Sequence, residues 1–201
     1  MASALSDEGA VCADGEGNTM ENERERHALR GILAGAGAGL AASWVMNRFM
    51  SGPGQKLQQA LETHEERRKE HQSQRKEQDG EPKQDATMKA ADAMVATATG
   101  GRHLSFEQQE TAGPVVHYGF GALVGGLYGG LAEYVPTVRR GFGTGFGTAL
   151  FAGADLVAVP AFGLGPSVSE TSPKPLANPL AAHLVYGATT ELLRRVLRAV
   201  L

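Results

Sequence analysis

The sequence predicts an all-α, polytopic membrane protein: four transmembrane helices arranged as two Gly-rich hairpins, with a small amphipathic helix on the outer side. Three observations predict it. Apolar blocks long enough to span a bilayer alternate with charge-dense stretches. Glycines recur at four-residue spacing inside three of those blocks. Turn signals rich in Pro and Gly separate the blocks. The averages hide this pattern, since 42% of the 201 residues are apolar and 20% charged, and mean hydropathy is −0.22. Nearly all the acids and most of the bases fall in residues 1–30 and 51–114, so each window is read alone.

Residues 1–29 are polar and acidic, with no basic segment leading into an apolar one. They are expected to form a disordered tail rather than a cleavable signal. Residues 30–50 are the first expected span, GILAGAGAGLAASWVMNRFM after Arg30. About twenty helical residues reach roughly 30 Å, the thickness of a hydrocarbon core. Residues 51–84 are charge-dense, with Leu57 and Leu61 the main apolar footing, and predict a solvated helix or linker. His64 and His71 read there as solvated side chains.

Residues 85–112 place Met88, Ala91, Val95 and Ala98 on one helical face, closed by Gly100-Gly101. Ser105 with Gln108 resembles a capping box opening a short turn. This segment is the expected amphipathic helix, lying on the outer surface or on the span ends. Spans are then expected at 113–136, 141–164 and 178–201. The basic stretch Pro136-Thr-Val-Arg-Arg140 joins the second and third, and a Pro-rich loop precedes the fourth. Pro160 is expected to kink the third and free the carbonyl of Leu156.

Gly and Ala replace Leu and Ile in these blocks, which lets helix backbones approach closely in lipid. Gly31, Gly35 and Gly39 are four apart, as are Gly121, Gly125 and Gly129; Gly141/Gly145 and Gly143/Gly147 repeat the spacing, and Gly187 extends it to the fourth block. The bilayer is the expected partner. Glycine seams on more than one face leave room for a homo-oligomer.

Orientation follows from basic residues near the ends. With the N-terminus inside, the inner flanks hold eight (Arg24, Arg26, Arg30, Arg139, Arg140, Arg194, Arg195, Arg198) and the outer flanks four (Arg48, Lys56, Arg102, Lys174). Both termini are therefore expected in the cytoplasm.

The two halves resemble one another. Arg30-Gly31 parallels Arg140-Gly141, and His117-Tyr-Gly-Phe-Gly121 parallels His183-Leu-Val-Tyr-Gly187. This suggests a duplicated hairpin.

Ionisable groups at membrane depth are costly and so mark candidate sites. They are His117, Glu133, Asp155, His183 and Glu191, with Tyr186 beside them. Counting rise per residue puts the histidines near the outer mouth and Asp155 a turn or two deeper. Glu191 lies below it, and Glu133 at the inner interface. One reading is a polar track that relays protons or binds a small polar solute. The other is interhelical bonding, with Glu191 paired to Arg194 or Arg195 at i+3 and i+4. The same depth difference argues against a metal held by two His and Asp155, and no cofactor motif occurs.

From Asp85 to Leu201 the chain resembles the YagU-like family of bacterial inner-membrane proteins, a domain of unknown function. The likeness lies in AGPVVHYGFGALVGGLYGGLAEYVP at 112–136, GFGTGFGTALFAGADLVAVPAFGL at 141–164 and AAHLVYGATTELLRR at 181–195. It implies a multi-pass protein of the bacterial cytoplasmic membrane and no particular reaction.

Net charge is −3, with no basic stripe carrying aromatics, so no nucleic-acid partner is expected. Cys12 is the single cysteine, which excludes an intramolecular disulfide. Ser167, Ser169 and Ser172 have no catalytic motif around them. The chain therefore reads as a non-enzyme with a structural or envelope-stress role; the alternatives are a small transporter or channel subunit and, less favoured, a membrane-embedded enzyme.

Overall fold

Helix formation follows the apolar blocks but overruns their expected ends. A computed structural model describes residues 13–61, 84–165 and 176–201, with side chains from residue 23 onward. Cys12, His64, His71 and the loop serines lie outside them. Helix α1 (Ala13–Phe49) takes in most of the segment expected to be a tail, because extending a formed helix needs no new nucleus. It continues through a π turn (Met50–Gly54) containing Pro53 into α2 (Gln55–Leu61).

Helix α3 (Ala86–Thr99) begins at Asp85, whose carboxylate accepts from Met88 N–H at 2.8 Å, and stops at Gly100 in the left-handed conformation (φ 73°). Met88 and Ala91 are its buried residues. The Ser105–Gln108 capping box is present, but it opens α4 (Phe106–Tyr134) and not a short turn. Once the cap satisfies the first N–H groups, nothing stops propagation, and Pro114 lies inside the helix without ending it.

Asp92 ties α3 to this turn. One oxygen accepts from Leu104 N–H at 2.6 Å and the other contacts His103 Nδ1 at 2.8 Å. The His103 bond, then the Leu104 bond, hold the Asp92 carboxyl below its usual range. A carboxyl depressed on folding contributes stability in full above its unfolded pKa of about 3.9. That contribution is lost as pH falls through the lower folded value. Amide protection in α3, relative to the intrinsic exchange rate at each pH, should therefore fall below about pH 4, and Asp92→Asn should show the lower protection already at neutral pH.

After Tyr134 a 3-10 segment (Pro136–Gly143) breaks at Gly141 and Phe142, both left-handed, and leads into α5 (Thr144–Phe151). A second π turn (Ala152–Ala158) carries Asp155 and precedes α6 (Val159–Ala161). Proline removes an N–H and crowds the preceding turn, and widening that turn accommodates it. The distortion expected at Pro160 thus takes the form of a π turn, with Pro160 itself in the first turn of α6. Helix α7 (Ala177–Val200) closes the fold.

Two glycine seams hold the helices antiparallel. A Cβ on Gly35 would strike the carbonyl of Gly125, one on Gly39 that of Gly121, and one on Gly129 that of Gly31. This joins α1 to α4. Likewise a Cβ on Gly143 would strike Gly187 O, and one on Gly147 the carbonyl of His183, joining α5 to α7. Gly143 also sits at φ 80°, so two constraints select glycine there. The Gly141/Gly145 pair is not part of a seam. Gly141 is a turn residue at φ 68°, and the nearest neighbour of a Cβ on Gly145 would be 4.0 Å away.

The two seams correspond, with Gly121 against Gly39 and Ser43, and Gly187 against Gly143 and Gly147. The His-x-x-aromatic-Gly match is in this register. The Arg-Gly match is not, since it would equate Gly39 with Ala149.

Large apolar side chains face outward: Leu33, Trp44, Leu123, Leu127, Val157 and Val196 are all more than half exposed. The interior holds Ala34, Ala38, Ala42, Ser43, Thr190 and Glu191, each 0–1% exposed. Three helical segments (Glu23–Leu61, Phe106–Tyr134 and Pro136–Ala161) are long and apolar enough to cross a membrane.

Candidate functional site

The polar groups gather at two levels, one near α3 and one near the C-terminal arginines. Near the arginines, Glu191 is fully buried. Its Oε2 accepts from Tyr128 O–H and Arg194 Nε, both at 2.9 Å, and its Oε1 accepts from Arg195 Nε at 2.7 Å. The Arg194 pairing is bidentate, with Nη2 at 3.1 Å from Oε1. Arg194 is itself 3% exposed and reaches toward Glu133 at 3.7 Å. Arg198 Nε donates to Glu133 at 3.1 Å. The i+3 and i+4 pairs therefore form, and the network adds cross-links from α7 to α4 through Tyr128 and Glu133.

Near α3, a cavity of about 470 Å³ opens between α1, α3, α4, the π turn with α6, and α7. His117, Asp155, His183 and Tyr186 all line it, within walls that are otherwise mostly apolar. His183 Nδ1 donates to Pro179 O at 2.9 Å and lies 3.5 Å from Asp155 Oδ2. This corrects the expected depth difference between Asp155 and the histidines. Counting back from Leu164 overstated the depth of Asp155, because the helix already ends at Ala161. Asp155 lies six residues before that end, and His183 six residues after Ala177 begins α7. Among the described residues, no three His, Cys, Asp or Glu side chains form a group able to hold a metal ion.

The two levels are not joined by a polar path of the expected kind. Tyr186 O–H donates to Gly121 O at 2.6 Å, and Thr190 Oγ1 donates to Tyr186 O at 2.8 Å. Phe146 stacks on Tyr128 with centroids 4.3 Å apart and packs beside Tyr186 at 6.0 Å. This aromatic layer stands between the cavity and Glu191.

Sequence reasoning passed over Tyr128, Phe146 and Ser43. Tyr128 lies seven residues after Gly121, on the same face, so an aromatic interrupting the small-residue stripe was the available signal. Ser43 extends the Gly31–Gly35–Gly39 spacing by one more step of four, and the same period would have found it.

No curated protein and no solved structure matches the chain. One family does match, over residues 72–192, taking in α3, α4, α5, α6 and most of α7. It contributes most of the cavity wall and Glu191; Ser43, Met46 and Met50 are supplied by α1 and its π turn, outside the matched stretch. The chain belongs to this family, described as protein of unknown function DUF1440.

Proposed function

We propose that the chain is a YagU-like protein that crosses a bacterial cytoplasmic membrane four times, with both termini in the cytoplasm. In this arrangement α3 rests on the outer side, and the role is structural or envelope-stress related, without catalysis. The observation that carries it is the inside-out distribution of residues. Large apolar groups face outward, while Gly, Ala and paired polar groups fill the interior, as lipid rather than water demands.

Helix α7 is the fourth span in this arrangement. Its 24 residues reach about 36 Å at roughly 1.5 Å each. Its His183, Thr190, Glu191 and Arg194 turn into the bundle, Arg195 is half exposed near the C-terminal end, and Leu192, Val196 and Val200 face out. Glu191, held by three partners, supports a fixed anchor in preference to a mobile relay. Gly119 and Gly153 have open space around them, which leaves a small-residue surface for self-association.

Accessibility labelling tests the topology. With an impermeant maleimide, Cys12 and a Leu201→Cys variant should label only after the cells are opened, and Lys56→Cys should label in intact cells. If Leu201→Cys labels in intact cells, α7 does not cross. A chain that stays folded in detergent-free buffer overturns the membrane reading altogether.

The cavity favours one alternative, a small transporter of protons or a polar solute that enters at His117, Asp155, His183 and Tyr186 and must pass the Phe146–Tyr128 layer to reach Glu191 and Glu133. It requires Asp155→Asn to abolish flux into vesicles while the helical signal is kept.

A further inference from the structure

The hydroxyl protons of the cavity wall are already committed to the protein. Ser43 Oγ donates to Gly39 O at 3.0 Å, Thr87 Oγ1 to Asp85 Oδ1 at 2.7 Å, and Tyr186 O–H to Gly121 O. A backbone carbonyl cannot donate, so His183 carries a proton on Nδ1, facing Pro179 O, and only Nε2 remains to meet a ligand. His117 Nε2 is buried and has no partner among the described residues. Asp155 has the His183 contact at 3.5 Å, too long to take a proton already given to Pro179.

Asp155 thus brings a carboxylate to the cavity, 3.5 Å from His183, beside the unpartnered Nε2 of His117. The walls around them are apolar and include Phe120 and Phe162. An acyl chain would fill the space but leave His117 Nε2 and Asp155 unpaired, which is costly away from water. An anion would meet the Asp155 carboxylate. A neutral alcohol would satisfy one acceptor and leave the charge. An ammonium N–H satisfies several acceptors and the charge together, and aromatic faces attract the same cation.

We propose that this cavity binds a protonated lipophilic amine, its ammonium between Asp155 and the His117 and His183 imidazoles and its apolar body against the walls. Its volume falls within the range of roughly 300–1,000 Å³ usual for small-molecule sites. The site goes beyond the structural role and depends on the packing of the bundle, not on the direction in which it crosses the membrane.

The test uses the full chain purified in maltoside micelles at neutral pH. Phenethylamine, ionised there, is titrated against phenethyl alcohol, its neutral counterpart, and binding is read by calorimetry. The amine should bind about tenfold or more tighter than the alcohol. Asp155→Asn should erase that preference while alcohol binding persists, which also shows that the variant is folded. The fully methylated quaternary amine, charged but without an N–H, should bind more weakly than phenethylamine.

Equal binding of amine and alcohol by the wild-type chain overturns the proposal without reference to any variant. So does an amine preference that survives Asp155→Asn. Labelling at Lys56→Cys and Leu201→Cys is unaffected by either result, so failure of the ligand site and failure of the topology are separately visible.

Discussion

Replacing Glu191 with alanine is expected to cost on the order of 3–5 kcal/mol of stability, the range found when one member of a buried ion pair is removed. The size follows from what is left behind. Arg194, 3% exposed, would retain the 3.7 Å contact to Glu133 and its place 6.0 Å over the Tyr128 ring but lose its close carboxylate partner, and the Tyr128 hydroxyl would lose its acceptor. Arg195 is half exposed and can turn away, so it adds little. Glu191→Gln keeps an acceptor for Tyr128 but not the charge that holds Arg194, and should fall between wild type and alanine.

The paired change Glu191→Leu with Arg194→Met removes both charges and should recover most of the loss. Thermal midpoints in micelles, with the double-mutant cycle closed, check this. A Glu191→Ala midpoint indistinguishable from wild type would show that the network contributes nothing to holding α7 on α4.

The second large effect is expected at the α1–α4 seam. Gly125→Leu should destabilise by about 3 kcal/mol or more, at the upper end of overpacking costs. A Cβ there would lie 2.5 Å from Gly35 O and 2.7 Å from Gly39 Cα, both backbone atoms, so no side chain can move aside and the helices must separate. Gly187→Leu should behave alike, because its neighbours are backbone atoms of Gly143 and Gly147. Gly119→Ala is the control on the same helix. Nothing lies within 4 Å of its Cβ position, so the change should be silent or stabilising by up to about 1 kcal/mol. If Gly125→Leu and Gly119→Ala gave equal midpoints, the seam would not be a close-packed contact.

The sequence by itself determined the all-α class, the glycine stripes and the local pairing of Glu191 with Arg194 and Arg195. Each depends on spacing along one helix, and a period near 3.6 residues fixes which side chains share a face. It missed the true ends of α1 and α4, because a helix propagates past an apolar block wherever nothing stops it. Only the tertiary structure brought Asp155 level with His183, set Tyr128 against Glu191, and placed Phe146 between the two polar levels. Those contacts depend on where each helix begins and how far it slides along its neighbour. Backbone fit between Gly35 and Gly125, and between Gly143 and Gly187, settles that offset, and it is a property of pairs of helices rather than of either one alone.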